Sequence, residues 1–485
     1  MDRDKLYIDG EWVEPAGTST IEVISPLTEE VIATVPEAST ADVDRAVQAA
    51  RRAFDSGPWP RMTPAERADV MEKISQLIQG RHEDVARTIT EEMGSPISFS
   101  VMGQVFASTM VLDYYTALAR EYEFEEFRQG ALGPVIVRKE PVGVAGAIVP
   151  WNVPLFTIML KLGPALASGS TVVLKPAPET PLDAFLLAEV LEEVGLPAGV
   201  VNIVPAGREV GEHLVTHRDV DKIGFTGSTA AGKKIAALCG AQLKRCTLEL
   251  GGKSAAIVLD DADLSTAIPG LLPNAIMNNG QACIAQTRIL ASRKRYDEVV
   301  DALATAMAAT KVGEPLDPET GIGPLVAERQ RERVLGYIEK GREEGARVVV
   351  GGGRPAGFDK GWFVEPTVFA DVDNKMTIAQ EEIFGPVLAV IPYDSQEDAV
   401  RIANESDYGL AGSVWTSDVG AGLEIAKQVR TGTYGVNGSS MNFAAPFGGF
   451  KQSGVGRELG PEGLEAYLEP KGINMPFGWE PIVGA

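Results

Sequence analysis

Residues 142–175 read VGVAGAIVPWNVPLFTIMLKLGPALASGSTVVLK. An apolar run over 142–149 meets a turn braced by Pro150 and Pro154, a helical stretch follows over 155–169, and a second β-branched run fills 171–175. Strand, helix, strand is the pattern of a parallel βαβ unit. The span from Val142 to Leu160 carries no charge and approaches the length of a membrane helix. Pro150, Asn152 and Pro154 interrupt it at its centre, so a buried strand ending in a turn, then a buried helix, accounts for it better.

The same alternation continues through VVNIVP (200–205), KIGFTG (222–227) and SAAIVL (254–259), with helical patterns over 181–195 and 231–241 between them. In the first of these helices Leu186, Leu187, Val190 and Leu191 share one face before the stop at Gly195-Leu196-Pro197. This predicts a doubly wound α/β sheet. A second series follows, with helices over 297–309 and 327–345 among RVVVGG, TVFADV, VLAVIPY, GSVWTS and GTYGVN. Two α/β domains are expected. Residues 41–120 read as mainly helical, with Ala46, Val47, Ala50, Ala53 and Phe54 at helical spacing behind a Ser39/Thr40 cap. Residues 122–142 alternate like a hairpin around Gly130 and Gly133, and a protruding hairpin needs its edge covered, most simply by another subunit.

Composition narrows the function. The chain of 485 residues is 45% hydrophobic and 23% charged, the balance of a globular protein of two or three domains. Its 67 acidic against 44 basic residues leave a net charge of −23, which repels phosphate backbones and anionic lipid and argues against nucleic-acid or membrane partners. No apolar segment follows a basic start, so no secretory signal is expected. Cys239, Cys246 and Cys283 form neither CxxC nor a metal-ligand pattern, which argues for a reducing, cytoplasmic setting and against a zinc site.

Four local patterns carry chemistry. Gly227-Ser228-Thr229-Ala230-Ala231-Gly232-Lys233-Lys234 follows a strand and opens a helix, but Lys234 stands where a nucleotide-hydrolysing P-loop needs Ser or Thr. The turn suits some phosphate at a helix N-terminus, or serves as a plain glycine turn. Cys283, in Asn278-Asn279-Gly280-Gln281-Ala282-Cys283, is either a small packing residue or a nucleophile. Glu249 lies between Leu248 and Leu250, where desolvation raises a carboxyl toward general-base work, unless it caps a helix or pairs with Lys253. Asn152, between Pro150 and Pro154, is a fixed amide fit to donate to an oxyanion, or a turn residue. His82, His213 and His217 accompany none of these, so a Cys-His hydrolase lacks its base. A GxGxxG fingerprint is absent.

PWNVP, KLGPALASGSTVVLKPAPETP, GFTGSTAAGK, LELGGKS, NNGQAC, EEIFGPV and PFGGFKQSGVGRELG, in that order, resemble the NAD(P)-dependent aldehyde dehydrogenase superfamily over nearly the whole chain. The resemblance implies that the Cys283 thiolate adds to an aldehyde to give a thiohemiacetal, with Asn152 and the Cys283 N–H holding the oxyanion. Hydride then leaves to the nicotinamide, and Glu249 activates water to hydrolyse the thioester. Lys161 matches a lysine near the nicotinamide and the oxyanion asparagine. For the cofactor it implies Lys175 at the adenosine ribose, Gly207, Gly227 and Ser228 along the dinucleotide, Glu382 and Phe384 at the nicotinamide ribose, and Trp151 in the same cleft. Members favouring NAD often carry KPxE, whereas here Pro178 holds that position and Glu179 follows, so NAD is favoured with NADP acceptable. By analogy Phe156, Thr157, Leu160, Ile284, Phe443 and Phe447 line the substrate tunnel, a mostly apolar set suited to aliphatic, terpenoid or aromatic aldehydes.

The implied division places 1–121 and 143–251 in a Rossmann-type NAD(P)-binding domain, 252–452 in an α/β catalytic domain, and 122–142 with 453–485 in an assembly element of a homodimer or homotetramer. Cys239 and Cys246 are read as packing residues. Competing readings are a CoA-acylating dehydrogenase, which Glu249 disfavours, and a thiol esterase or non-catalytic relative, which the joint presence of Cys283, Glu249 and Asn152 disfavours.

Overall fold

A parallel sheet carries the first half of the molecule because its strands are covered on both faces. The computed structural model describes residues 3–438 and 441–480, so residues 1–2, 439–440 and 481–485 of the expected division fall outside it. Eight strands run in the order Gly454–Val455, Arg245–Glu249, Lys222–Thr226, Val144–Ile148, Thr171–Lys175, Val201–Ile203, Leu6–Ile8, Glu11–Val13. The middle five are parallel. From Val144–Ile148 the chain steps outward to one side through Thr171–Lys175 and Val201–Ile203, then returns to build Lys222–Thr226 and Arg245–Glu249 on the other. The switch point lies between Val144–Ile148 and Lys222–Thr226, where the crevice of an open α/β sheet forms at the carboxyl ends. Pairing of Ile148 with Phe225 sets those two ends level.

Seven strands form the second sheet, in the order Arg347–Val350, Thr367–Ala370, Val387–Tyr393, Arg288–Ser292, Ala255–Val258, Gly412–Trp415, Gly435–Val436. The SAAIVL run, read with the first series, pairs here, with Arg288–Ser292 and Gly412–Trp415 on either side. Nothing in the sequence marked Arg288–Ser292, because it opens on a charged residue. Arg288 is nonetheless buried, its guanidinium donating to the carbonyls of Lys253, Ile402 and Ala403 and to Asn374 Oδ1. A buried cation satisfied in this way belongs to a core strand.

The helices follow the expected local chemistry. Ser39 caps Thr40–Asp55 in a reciprocal box with Asp42, and Leu186, Leu187, Val190 and Leu191 join the apolar layer on one face of the first sheet. Helix Pro154–Ser168 starts on a proline and stops at Gly169, whose φ of +93° few side chains tolerate. The 122–142 hairpin forms as Glu125–Gly130 and Gly133–Pro141, and Leu468–Asn474 from the Gly- and Pro-rich tail adds a third strand. No helix among the described residues is long and apolar enough to cross a membrane.

Candidate active site

The crevice at the switch point collects residues from both sheets. Trp151, Asn152, Gly227, Ser228, Cys283, Glu382 and Phe384 line it together with Leu250, Gly251, Gln330 and Arg333. The first two follow the 144–148 strand and the next two follow the 222–226 strand, so the register of those strands places them side by side. Cys283 and Glu382 arrive from the second half of the chain.

A distorted turn presents Cys283. Asn278 (φ 54°), Asn279 (φ 61°) and Gly280 (φ 73°) all adopt left-handed backbone, which Asn and Gly tolerate best. Any side chain at Gly280 would strike the backbone of Gly385. The asparagine side chains stitch the turn down: Asn279 Nδ2 donates to the Gly94 and Pro324 carbonyls, each at 2.9 Å, and Asn279 Oδ1 accepts from Gly323 N–H at 2.7 Å. Gln281 Oε1 accepts from Val326 N–H at 3.1 Å. Cys283 is reached from the crevice, yet the surrounding protein, with the charges of Glu382 and Glu249, pushes its thiol up to about 12.

Asn152 is buried and held at both ends. Its Nδ2 donates to Gln281 O at 2.9 Å, leaving one amide hydrogen uncommitted. Its backbone carbonyl oxygen accepts from Asn278 Nδ2 at 2.7 Å and from Gln104 Nε2 at 3.2 Å. Gln104 lies in a π-helical segment, Ser100–Phe106, and reading the sequence missed it; a glutamine in a Ser-Val-Met-Gly-Gln-Val-Phe run gives no local signal. Such widened turns recur at functional sites.

Glu249 ends its strand 2% exposed, and neither carboxylate oxygen has a hydrogen-bond partner. Lys253 Nζ is also unpartnered, so the two do not pair. Desolvation first, then the nearby Glu458, holds the Glu249 carboxyl well above the ordinary carboxylate range. Lys161 is fully buried and donates to Thr226 Oγ1 at 2.6 Å and Glu458 Oε1 at 2.8 Å. Its charge acts on Glu249 through this cluster, in the direction that favours the carboxylate. Glu458 belongs to the quoted VGRELG segment, but nothing local singles it out.

The remaining groups fit a dinucleotide. Lys175 Nζ donates to Pro176 O at 2.9 Å and Ala206 O at 2.7 Å, two of its three donors, and burial lowers its pKa to about 8. Ser228 caps Thr229–Ala241 through Ala231 N–H, at a helix start whose dipole favours an anion. Gly207, at the start of Arg208–Thr216, donates its N–H to Glu37. Glu382 is held up to about 7 by burial while one oxygen accepts from Gly252 N–H at 2.9 Å. Phe384, at φ +64°, meets the Trp151 ring edge-on at 5.4 Å. Glu179 is paired with Arg329.

On the other side of Cys283, Ile284 and Phe447 line a second cavity with Tyr434, Met441 and Pro446. The Phe156 and Phe443 rings lie 6.4 Å apart and line neither cavity. Thr157 and Leu160 are buried and line neither cavity. His213 and His217 share Asp44 instead of a catalytic neighbour.

The aldehyde dehydrogenase family model matches residues 12–473. The chain is 47% identical to the geranial dehydrogenase of Castellaniella defragrans, over 98% of this chain and 99% of that one. Its fold matches a Mycobacterium tuberculosis aldehyde dehydrogenase complexed with NAD+ at a TM-score of 0.97 and 53% identity, covering 99% of both chains. It also matches a mutant of aldehyde dehydrogenase C from Pseudomonas syringae complexed with NAD+ and octanal, at 0.94 and 43%, covering 97% of this chain and 96% of that one. A match of this extent, on a crevice that joins a cysteine to a desolvated carboxylate, shows that the chain belongs to the aldehyde dehydrogenase family and oxidises an aldehyde to its acid with NAD.

Proposed function

We propose that the substrate is an apolar aldehyde, aliphatic, terpenoid or aromatic, and that the reaction runs through a thioester on Cys283. The observation that carries the substrate class is the cavity at Ile284, lined chiefly by apolar and aromatic side chains, Tyr434, Met441, Pro446 and Phe447 among them. Geranial and octanal, named for two of the relatives, are of this kind. Thr157 and Leu160 then act from behind the lining, shaping it through packing.

In this reading Cys283 Sγ adds to the carbonyl carbon, its proton passing to water as the C–S bond forms. The free amide hydrogen of Asn152 and the Cys283 N–H receive the negative oxygen. Bound NAD supplies an acceptor for hydride from the substrate carbon. Lys175, Gly207, Gly227 and Ser228 hold its adenosine and phosphate half, and Trp151, Glu382 and Phe384 its nicotinamide half. Glu249 takes a proton from water as the water oxygen attacks the thioester, and Cys283 departs as thiolate. Lys161 balances the charge that Glu249 must carry. The charges of Glu179 and Glu37 both act on Lys175, surroundings that favour NAD over a 2′-phosphorylated dinucleotide.

In this proposal 1–121 with 143–251 serve NAD binding, 252–452 catalysis, and 122–142 with 453–485 assembly. Exposed Phe127, Leu132 and Phe477 around the three-stranded sheet support assembly as a homodimer or homotetramer, and the free cysteines support a cytoplasmic setting. The test is NADH formation from a panel of aldehydes with both dinucleotides. Apolar aldehydes with NAD give the highest kcat/KM, Cys283→Ala abolishes turnover, and added CoA leaves the rate unchanged. Turnover by Cys283→Ala overturns the mechanism, and preference for short charged aldehydes overturns the substrate class.

A further inference from the structure

Glu37 reaches the first sheet on a backbone pinned from both sides. It follows strand Val31–Pro36; its N–H donates to Ser19 O at 2.9 Å, and the N–H of Ala38 donates to Pro205 O at 2.8 Å, just beyond strand Val201–Ile203. That strand pairs with Thr171–Lys175. Glu37 and Lys175 therefore meet on opposite edges of one peptide group: Lys175 Nζ donates to Ala206 O at 2.7 Å, and Glu37 Oε1 accepts from Gly207 N–H at 3.2 Å. The two charged atoms are thus no more than about 8.5 Å apart. Both side chains lie against the first turn of helix Arg208–Thr216, where a Cβ at Gly207 would come 3.2 Å from Glu37 Oε1 and one at Gly211 3.3 Å from the Lys175 stem. Glu37 pairs with no cation among the described residues. It lines a cleft with Arg208 and Glu209, whose opposite charges offset each other, so Glu37 decides the sign of that cleft.

We propose that Glu37 is the carboxylate that sets dinucleotide choice, accepting an adenosine ribose hydroxyl of NAD and repelling the 2′-phosphate of NADP. The proposal rests on the reading above that Lys175 and Gly207 hold the adenosine half. Pro178 has no side-chain acceptor to offer a ribose, and the neighbouring Glu179 is already paired with Arg329. Glu37 enters from a distant part of the chain and supplies the free carboxylate. An acid at the ribose suits a free diol, and its charge opposes a phosphate in the same place. The charges of Glu179 and then Glu37 reach Lys175, in keeping with that placement.

Calorimetric titration of the full-length protein with NAD and with NADP, in the absence of aldehyde, reads Kd for each. Wild type binds NAD more tightly. Glu37→Gln keeps an acceptor for Gly207 N–H and removes only the charge; it narrows the ratio of the two Kd values at least about 10-fold, the order expected for one charge near a phosphate at a protein surface. Glu37→Arg carries the ratio further in the same direction. Added salt narrows the ratio in wild type and does so less in Glu37→Gln. Glu179→Gln stays within about twofold of wild type, since its ion pair is exposed on one side. Unfolding midpoints equal to wild type show that each variant is folded. Equal Kd values in wild type overturn the NAD preference together with this proposal. A preference for NAD that survives unchanged in folded Glu37→Gln and Glu37→Arg overturns the proposal alone, as does its loss in Glu179→Gln but not in Glu37→Gln.

Discussion

In the proposed mechanism the surroundings of Glu249 bear directly on thioester hydrolysis. Its carboxyl is held protonated above the ordinary range, so it accepts a proton from water only as pH rises through its raised value. Thioester hydrolysis should therefore climb with pH from the acid side, checked by single-turnover decay of the acyl-enzyme. Glu249→Gln should stop at the acyl-enzyme, seen as a mass increase on the Cys283 peptide. Gln104 acts through Asn152 instead of touching substrate. Gln104→Ala removes one hydrogen bond from the Asn152 carbonyl, worth about 1–2 kcal/mol where the acceptor stays buried, so kcat should fall about 5- to 30-fold with KM little changed. At this scale Cys283, Asn152 and Glu249 each kept a plain structural alternative when read alone, and only the ordered set of motifs gave them roles. Gln104 and Glu458 were not legible, because their partners, Asn152 and Lys161, are 48 and 297 residues away.

The Asn278-Asn279-Gly280 turn is the element that positions Cys283, the nucleophile of the proposed mechanism. Asn279→Ala keeps the volume small but forfeits three hydrogen bonds and places alanine at φ 61°. The cost should be about 2–4 kcal/mol, read as a lower denaturant midpoint, with Cys283 alkylated faster in the loosened turn. Helices were read well because caps and apolar stripes are local: Ser39 with Asp42, and Gly169 after Ser168, need no distant partner. The strand Arg288–Ser292 was not, since its charged first residue is explained only by four acceptors supplied from elsewhere.

Across the whole molecule, stability should depend on pH through the buried pair Glu92 and Asp183. Glu92 and Asp183 are both fully buried; Glu92 accepts the N–H groups of Leu182 and Asp183, while both Asp183 oxygens are unpartnered. Burial raises Asp183 to about 8. A raised carboxyl binds its proton more tightly when folded, so its contribution is present below about 3.8 and is lost as pH rises toward 8. Asp183→Asn, with no proton to lose, should be more stable than wild type at pH 8 by about 1–3 kcal/mol, the gap closing toward pH 4. Thermal unfolding at the two pH values checks this. Taken alone, the sequence determined the alternation of strands and helices, the turns and caps, and the family, because periodicity and short motifs are set by neighbours in the chain. Tertiary structure alone decided that Arg288–Ser292 is a core strand and that Glu249 is desolvated near Glu458 and not paired with Lys253. Those are matters of which distant groups share a buried space, where desolvation and hydrogen bonding act across the fold and leave no mark at any one position.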